Sequence, residues 1–312
     1  MKLILLNLLV MVVQAYLGEV GWQQLLAHWL VAGVLTGLFA VVLHNNRYVA
    51  SGTPFVKLFS HGWVLMTLML NLCSACLVAE HVWWQPCLYL VGFALIVMGG
   101  YHCWQTDNCP LMCLGIGAML GLLTLVSPLA LSGLLVGIVL LMHMRSFSLR
   151  NVCSIVSGLL TVMWLIYATL FLAVGESAGS AYLQSLTDPA VWATPSRPVL
   201  VLDRPTDYVF LFGTAFILLV FLVIGYLNTG SGNLRTHAAV KFLGTLSVLC
   251  LLTVPLAWPL YVPLLSITVA GWVMFALGNG ITGATGGCGL VVGFYVLTSV
   301  LEPAVRYIIT II

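Results

Sequence analysis

Long apolar runs alternate with short polar gaps along the whole chain. The runs fall at about 3–17, 25–44, 60–79, 84–102, 111–126, 129–144, 152–174, 208–228, 238–257, 260–277 and 287–308. Most approach the roughly 20 residues an α-helix needs to cross the ~30 Å hydrocarbon core of a bilayer. Backbone in lipid must satisfy its own hydrogen bonds, so this pattern predicts helices rather than open strands. The expected fold is all-α, a polytopic transmembrane helical bundle of about 10–11 spans. It takes up residues 1–312 as a single transmembrane domain. Two places are weaker: only Ser127-Pro128 divides 111–144 into a hairpin of two short spans, and Glu302-Pro303 interrupts the last run.

The polar gaps carry the orientation. Lys2, Arg47, Lys57, Arg145, Arg150, Arg235 and Lys241 fall in or beside alternate gaps. The intervening gaps hold Glu19, Glu80 and a long mixed segment, 176–207. Basic residues are retained on the cytoplasmic side, so the expected N-terminus is cytoplasmic and 176–207 is an outer loop. Trp22, Trp83 and Trp84 fall at expected outer boundaries and Trp104 at an inner one, where indole rings favour the headgroup level. Lys2 and the apolar run to Val13 resemble a signal peptide, but the many runs that follow favour an uncleaved first span.

Composition narrows the function classes. With 62% hydrophobic and 6% charged residues in 312, the chain has no stretch large and polar enough for a soluble catalytic domain. The net charge of +2 is small and scattered, so no nucleic-acid partner is expected. Most of the nine cysteines lie inside apolar runs, where Cys acts as a small buried hydrophobe. Glycine pairs four apart (Gly33/Gly37, Gly117/Gly121, Gly133/Gly137, Gly283/Gly287 and Gly289/Gly293) predict close helix packing. Bulky changes at Gly133 or Gly137 are expected to disturb it.

Few positions offer chemistry. Cys73 and Cys76 form a C-x-x-C on one helix face, the pair a thiol oxidoreductase would use, though no second exchanging pair accompanies it. His102, Cys103, Asp107, Cys109 and Cys113 gather around a cytoplasmic turn, but their spacing matches no strong zinc pattern. No metal and no cofactor is therefore expected. His44, His61, His102, His143 and His237 map to the inner interface, which amphipathic side chains explain. The G-x-G-x-x-G at Gly278–Gly283 lacks the preceding strand a nucleotide site requires. The outer segment reads first as a Pro-rich connecting loop with a short surface helix. A functional version would use Arg197 and Arg204 to hold a phosphate or pyrophosphate, with Asp188, Asp203 or Asp207 as a base. Arg145 and Arg150 bracket a cytoplasmic turn that reads as a positive-inside anchor, with Ser148 or Asn151 capping the next helix; a cytoplasmic anion or lipid-headgroup contact is the alternative.

Residues 101–164 resemble a family of uncharacterised multi-pass inner-membrane proteins of anaerobic diderm bacteria. The motifs are Tyr101 at a span end, a Gly-rich then Pro-marked hairpin, the stretch from Met144 through Arg150, and a span opening Gly158-Leu159-Leu160-Thr161. Asn45-Asn46-Arg47-Tyr48 and the turn at 278–285 look similar too. Departures are Val162-Met163-Trp164 in place of a Pro-Tyr-Trp-like end, and the lack of a basic residue between Gly278 and Gly289. The resemblance implies a topology and an inner-membrane location, with no settled reaction.

Three functions compete on this reading. The leading one is a non-catalytic membrane component of cell-envelope biogenesis or transport, partnered by the lipid bilayer and other membrane proteins. The second is a polymerase- or ligase-like transferase acting on a polyprenyl-linked lipid at the outer face. The third is a secondary transporter, which would show charged residues at mid-membrane depth and repeated halves. Almost every charge falls near an interface instead, Glu302 being the exception, which leaves transport by backbone and hydroxyl contacts.

Overall fold

A computed structural model describes residues 2–16, 21–45, 55–76, 85–103, 108–143, 145–188, 205–228, 234–253, 258–279 and 284–311. Twelve α-helices and no strand occur among them. They are α1 (Lys2–Tyr16), α2 (Trp22–Asn45), α3 (Phe55–Cys76), α4 (Gln85–His102), α5 (Pro110–Thr124) and α6 (Gly133–His143). After these come α7 (Leu149–Ala173), α8 (Glu176–Thr187), α9 (Pro205–Asn228), α10 (Leu234–Thr253), α11 (Trp258–Gly278) and α12 (Ala284–Ile311). Every apolar run has a helix over it. Three stretches are long and apolar enough to cross a membrane within described residues: Trp22–Val42, Leu149–Ala173 and Tyr208–Leu227. Helix α12 runs unbroken past Glu302-Pro303, where the sequence suggested an interruption.

The helices fall into two compact units. In the first, α1–α3 pack with α9–α12. Trp272 of α11 is buried at 1% exposure, donates from Nε1 to Ser247 Oγ of α10 at 2.8 Å, and stacks on Phe221 of α9. Tyr295 of α12 donates to Thr214 Oγ1 of α9 at 3.1 Å. These polar atoms meet partners inside the core, as burial away from water demands.

In the second unit, α5 and α7 pack most closely. A Cβ on Gly117 would collide with the Ile155 carbonyl, and one on Gly158 with the Leu114 carbonyl. Only residues without a Cβ let two helix backbones approach this far. Helix α4 lies against the same hairpin, with Gly92 under Leu123 and Gly99 under Ile116. The turn between α5 and α6 is a short 3-10 segment, Pro128–Ser132, entered through extended Ser127. Ser127-Pro128 thus divides the hairpin, as its sequence suggests. Gly133 and Gly137 do less than expected: a Cβ at the first would press on the movable tip of Leu120, and at the second would make ordinary contact.

Helix α8 opens the segment read as an outer loop. Gly175 turns the chain back with φ 119°, a conformation that disfavours any side chain. The buried face of α8, Gly179, Tyr182 and Leu186, then packs against α7 and the tip of α5. Tyr182 and Thr124 hydroxyls are 2.9 Å apart. Burial pushes the Tyr182 phenol up, with the Thr124 hydrogen bond pulling the other way, so the ring stays protonated at neutral pH.

Large apolar side chains cover much of the outside. On α9, Val209, Phe212, Phe216, Leu219, Val223 and Leu227 form an exposed stripe at helical spacing, and α7 exposes Leu160, Trp164, Leu165, Phe171 and Leu172. A soluble surface does not carry such continuous apolar faces, whereas lipid accepts them.

Candidate functional site

In the first unit, α1, α2 and α3 bring three polar side chains together inside an apolar packing. Asn71 Nδ2 of α3 donates to Gln14 Oε1 of α1 at 2.9 Å. Its Oδ1 lies 3.0 Å from His28 Nδ1 of α2. Because that oxygen accepts, His28 Nδ1 carries the hydrogen and the lone pair sits on Nε2. Exposure of Gln14, His28 and Asn71 is 4%, 0% and 0%. Met11 and Leu25 are buried beside them, with Ala15 and Trp29 packed against that pair.

The surroundings hold the triad firmly. Trp63 donates from Nε1 to the Trp29 carbonyl at 2.8 Å, and the two indoles lie 4.4 Å apart. Gly33 of α2 sits under the Trp63 ring, so the glycine of the Gly33/Gly37 pair that makes a tight contact admits a side chain rather than a backbone. Two turns below Gln14, Asn7 is buried at 1% exposure, and neither of its amide atoms has a hydrogen-bond partner. An unmet buried amide atom costs about 1–3 kcal/mol, so α1 keeps an expensive polar face at Asn7 and Gln14.

Nothing local in the sequence pairs these residues. A signal did exist: four polar residues, one of them titratable, stand within apolar runs where such groups are costly and carry function. His28 stands apart from the five inner-interface histidines, four residues into the second apolar run.

The second unit holds the only group of three or more potential metal ligands among the described residues. Cys103 follows α4, Cys109 caps α5, and Cys113 lies one turn on; their sulfurs are all within 4.8 Å of one another. Cys103 and Cys113 are fully buried, and Cys109 is half-buried. Of the five residues the turn offered as ligands, these three are assembled. His102 is exposed at the end of α4, and Asp107 lies outside the described residues.

The other candidates fare unevenly. Ser148 caps α7, its hydroxyl accepting from the Asn151 amide at 3.2 Å. Arg145 and Arg150 are both exposed on either side of that cap. Asp188 is half-buried just after α8. Arg197, Asp203 and Arg204 lie outside the described residues, and Asp207 is placed only as backbone in the first turn of α9. Cys73 and Cys76 are likewise placed by backbone alone, three apart in the last turns of α3.

No protein-family model, curated protein or solved structure matches the chain.

Proposed function

We propose that this is a multi-pass protein of the bacterial inner membrane, N-terminus cytoplasmic, that carries protons or a proton-coupled polar solute across the bilayer. The Gln14–Asn71–His28 triad is its working site. The supporting observation is that triad itself, a fully buried imidazole hydrogen-bonded across three apolar helices. Imidazole is the side chain that exchanges a proton near neutral pH. The triad stands toward the outer ends of its three apolar runs, where buried polar groups would receive a proton or solute from that face. Asn71 bridges the other two and fixes the imidazole with Nδ1–H on its oxygen, so the proton His28 exchanges is the one at Nε2. Asn7, on the same face of α1, extends the polar line along the helix.

The test is proton flux into liposomes carrying the purified protein. An inside-negative potassium diffusion potential drives uptake, read by a pH dye trapped in the lumen. The native protein acidifies the lumen faster than protein-free liposomes do. His28→Gln, which keeps a hydrogen bond to Asn71 but holds no titratable proton, brings the rate down to the protein-free level while remaining monodisperse. Unchanged flux in His28→Gln, or native flux no greater than the blank, overturns the reading.

A further inference from the structure

We infer that Cys103, Cys109 and Cys113 form a thiolate site for a soft metal ion, taken by Cu(I) in three-coordinate geometry. It rests on the second unit alone and is independent of the role given to His28.

The distances fit. Cys103 Sγ stands 4.0 Å from Cys113 Sγ, and Cys109 Sγ stands 3.8 Å from it. Three sulfurs each about 2.3 Å from one ion lie about 4.0 Å apart in a trigonal arrangement and about 3.8 Å apart in a tetrahedral one. A disulfide needs its sulfurs at about 2.05 Å, so this spacing suits an ion between the thiols rather than a bond joining two of them. Thiolate sulfur selects soft ions, and Cu(I) accepts three such ligands without a fourth.

The backbone brings this about. Helix α4 ends with the Cys103 amide donating to the Gly99 and Gly100 carbonyls, which turns the side chain inward. Pro110 starts α5, placing Cys109 at its cap and Cys113 one turn later on the same side. Both sulfurs therefore sit at a helix N-terminus, where the unmet amides and the helix dipole favour thiolate over thiol. Asn151 of α7 adds a donor outside the trio: its Nδ2 lies 3.5 Å from Cys109 Sγ and also donates to the Ser146 carbonyl at 2.8 Å. Hydrogen bonds of this kind orient a ligand and support its charge.

Metal–thiolate bonds form only as the thiols give up their protons, so binding at the three cysteines releases protons and weakens as pH falls. Half-buried Cys109 is the point of entry, with the two buried sulfurs behind it.

The experiment uses the full-length protein in detergent, reduced and free of oxygen, titrated with Cu(I) against a chromophoric Cu(I) chelator. One equivalent is withheld from the chelator, and less is withheld as pH is lowered. X-ray absorption of the loaded protein gives three sulfurs at a single short distance. The triple Cys→Ser variant at 103, 109 and 113 loses that equivalent, whereas Cys153→Ser, at an exposed cysteine of α7, keeps it. Should the triple variant fail to stay monodisperse, Cys109→Ser alone, at the partly exposed position, weakens retention at least tenfold. Equal retention by the cluster variants, no withheld equivalent in the native protein, or binding of Zn(II) without Cu(I) overturns the inference.

Discussion

Arg145 occupies the place where a helix of this form ordinarily ends in glycine. The Ser146 amide reaches back to the Leu141 carbonyl at 3.1 Å and the Arg145 amide to Met142 at 3.4 Å, the paired bonds of a Schellman ending. The residue between must be left-handed, and Arg145 adopts φ 55°. For a residue with a Cβ that conformation costs roughly 1–2 kcal/mol. Arg145→Gly therefore raises thermal stability in detergent by about 1 kcal/mol, while Arg145→Ala, which keeps the Cβ and loses the charge, leaves it near the native value. An equal gain from both variants would place the cost in the cation instead of the backbone. Residues of this kind mark what is legible one at a time. Ser148 was readable as a cap because its partner, Asn151, is three residues away. His28, Asn71 and Gln14 were not, because their hydrogen bonds span 43 and 57 residues and depend on which helices meet.

At the scale of elements, spacing alone does not reveal which face finds a partner. Gly117/Gly121 and Gly289/Gly293 share the same period, yet an added Cβ meets α7 backbone at the first pair and nothing within 4 Å at the second. The apolar runs located every helix except α8, which lies in the polar segment 176–207, because burial in lipid or protein acts on each run separately. The contacts between helices require complementary surfaces that no single run encodes. Gly117→Ala is expected to destabilise by about 3 kcal/mol, the upper end for overpacking, because a carbonyl in a helix cannot move aside as a side-chain tip can. Gly289→Ala and Gly293→Ala each stabilise by up to about 1 kcal/mol through helix propensity. Thermal unfolding of the three variants in one detergent checks this, and equal behaviour of Gly117→Ala and Gly289→Ala would contradict the close approach of α5 and α7. The thiol trio was half legible for a similar reason. Cys109 and Cys113 share a helical turn, but Cys103 joins them only because α4 ends against α5.

Over the whole molecule, alternating charge assigns sides to the gaps but is blind to one alternative. A hairpin that enters and leaves by the same side adds two crossings or none, and every later gap keeps its side either way. The hairpin of α5 and α6 has that freedom. Helices α5 and α7 run parallel, with Cys109 beside Asn151 and Gly117 beside Ile155 and Leu159. At 1.5 Å per residue the 15-residue α5 rises roughly 22 Å and the 25-residue α7 roughly 37 Å. In this register α5 ends about 12 Å short of the end of α7. The space beyond it is taken by α8, which folds back from Gly175 to set Tyr182 on Thr124. The length difference and the cover favour a hairpin that stops inside the membrane, closed over by an amphipathic helix from the outer side. Single cysteines in a variant lacking the nine native ones test it with a membrane-impermeant maleimide. Ser180→Cys, on the exposed face of α8, labels quickly from the outer side. Ser127→Cys, at the hairpin tip, labels at least tenfold more slowly until Tyr182→Ala lifts the cover. Equal rates at the two sites with Tyr182 in place would mean that the hairpin crosses fully, and labelling of Ser180→Cys from the cytoplasmic side alone would invert the orientation drawn from the charges.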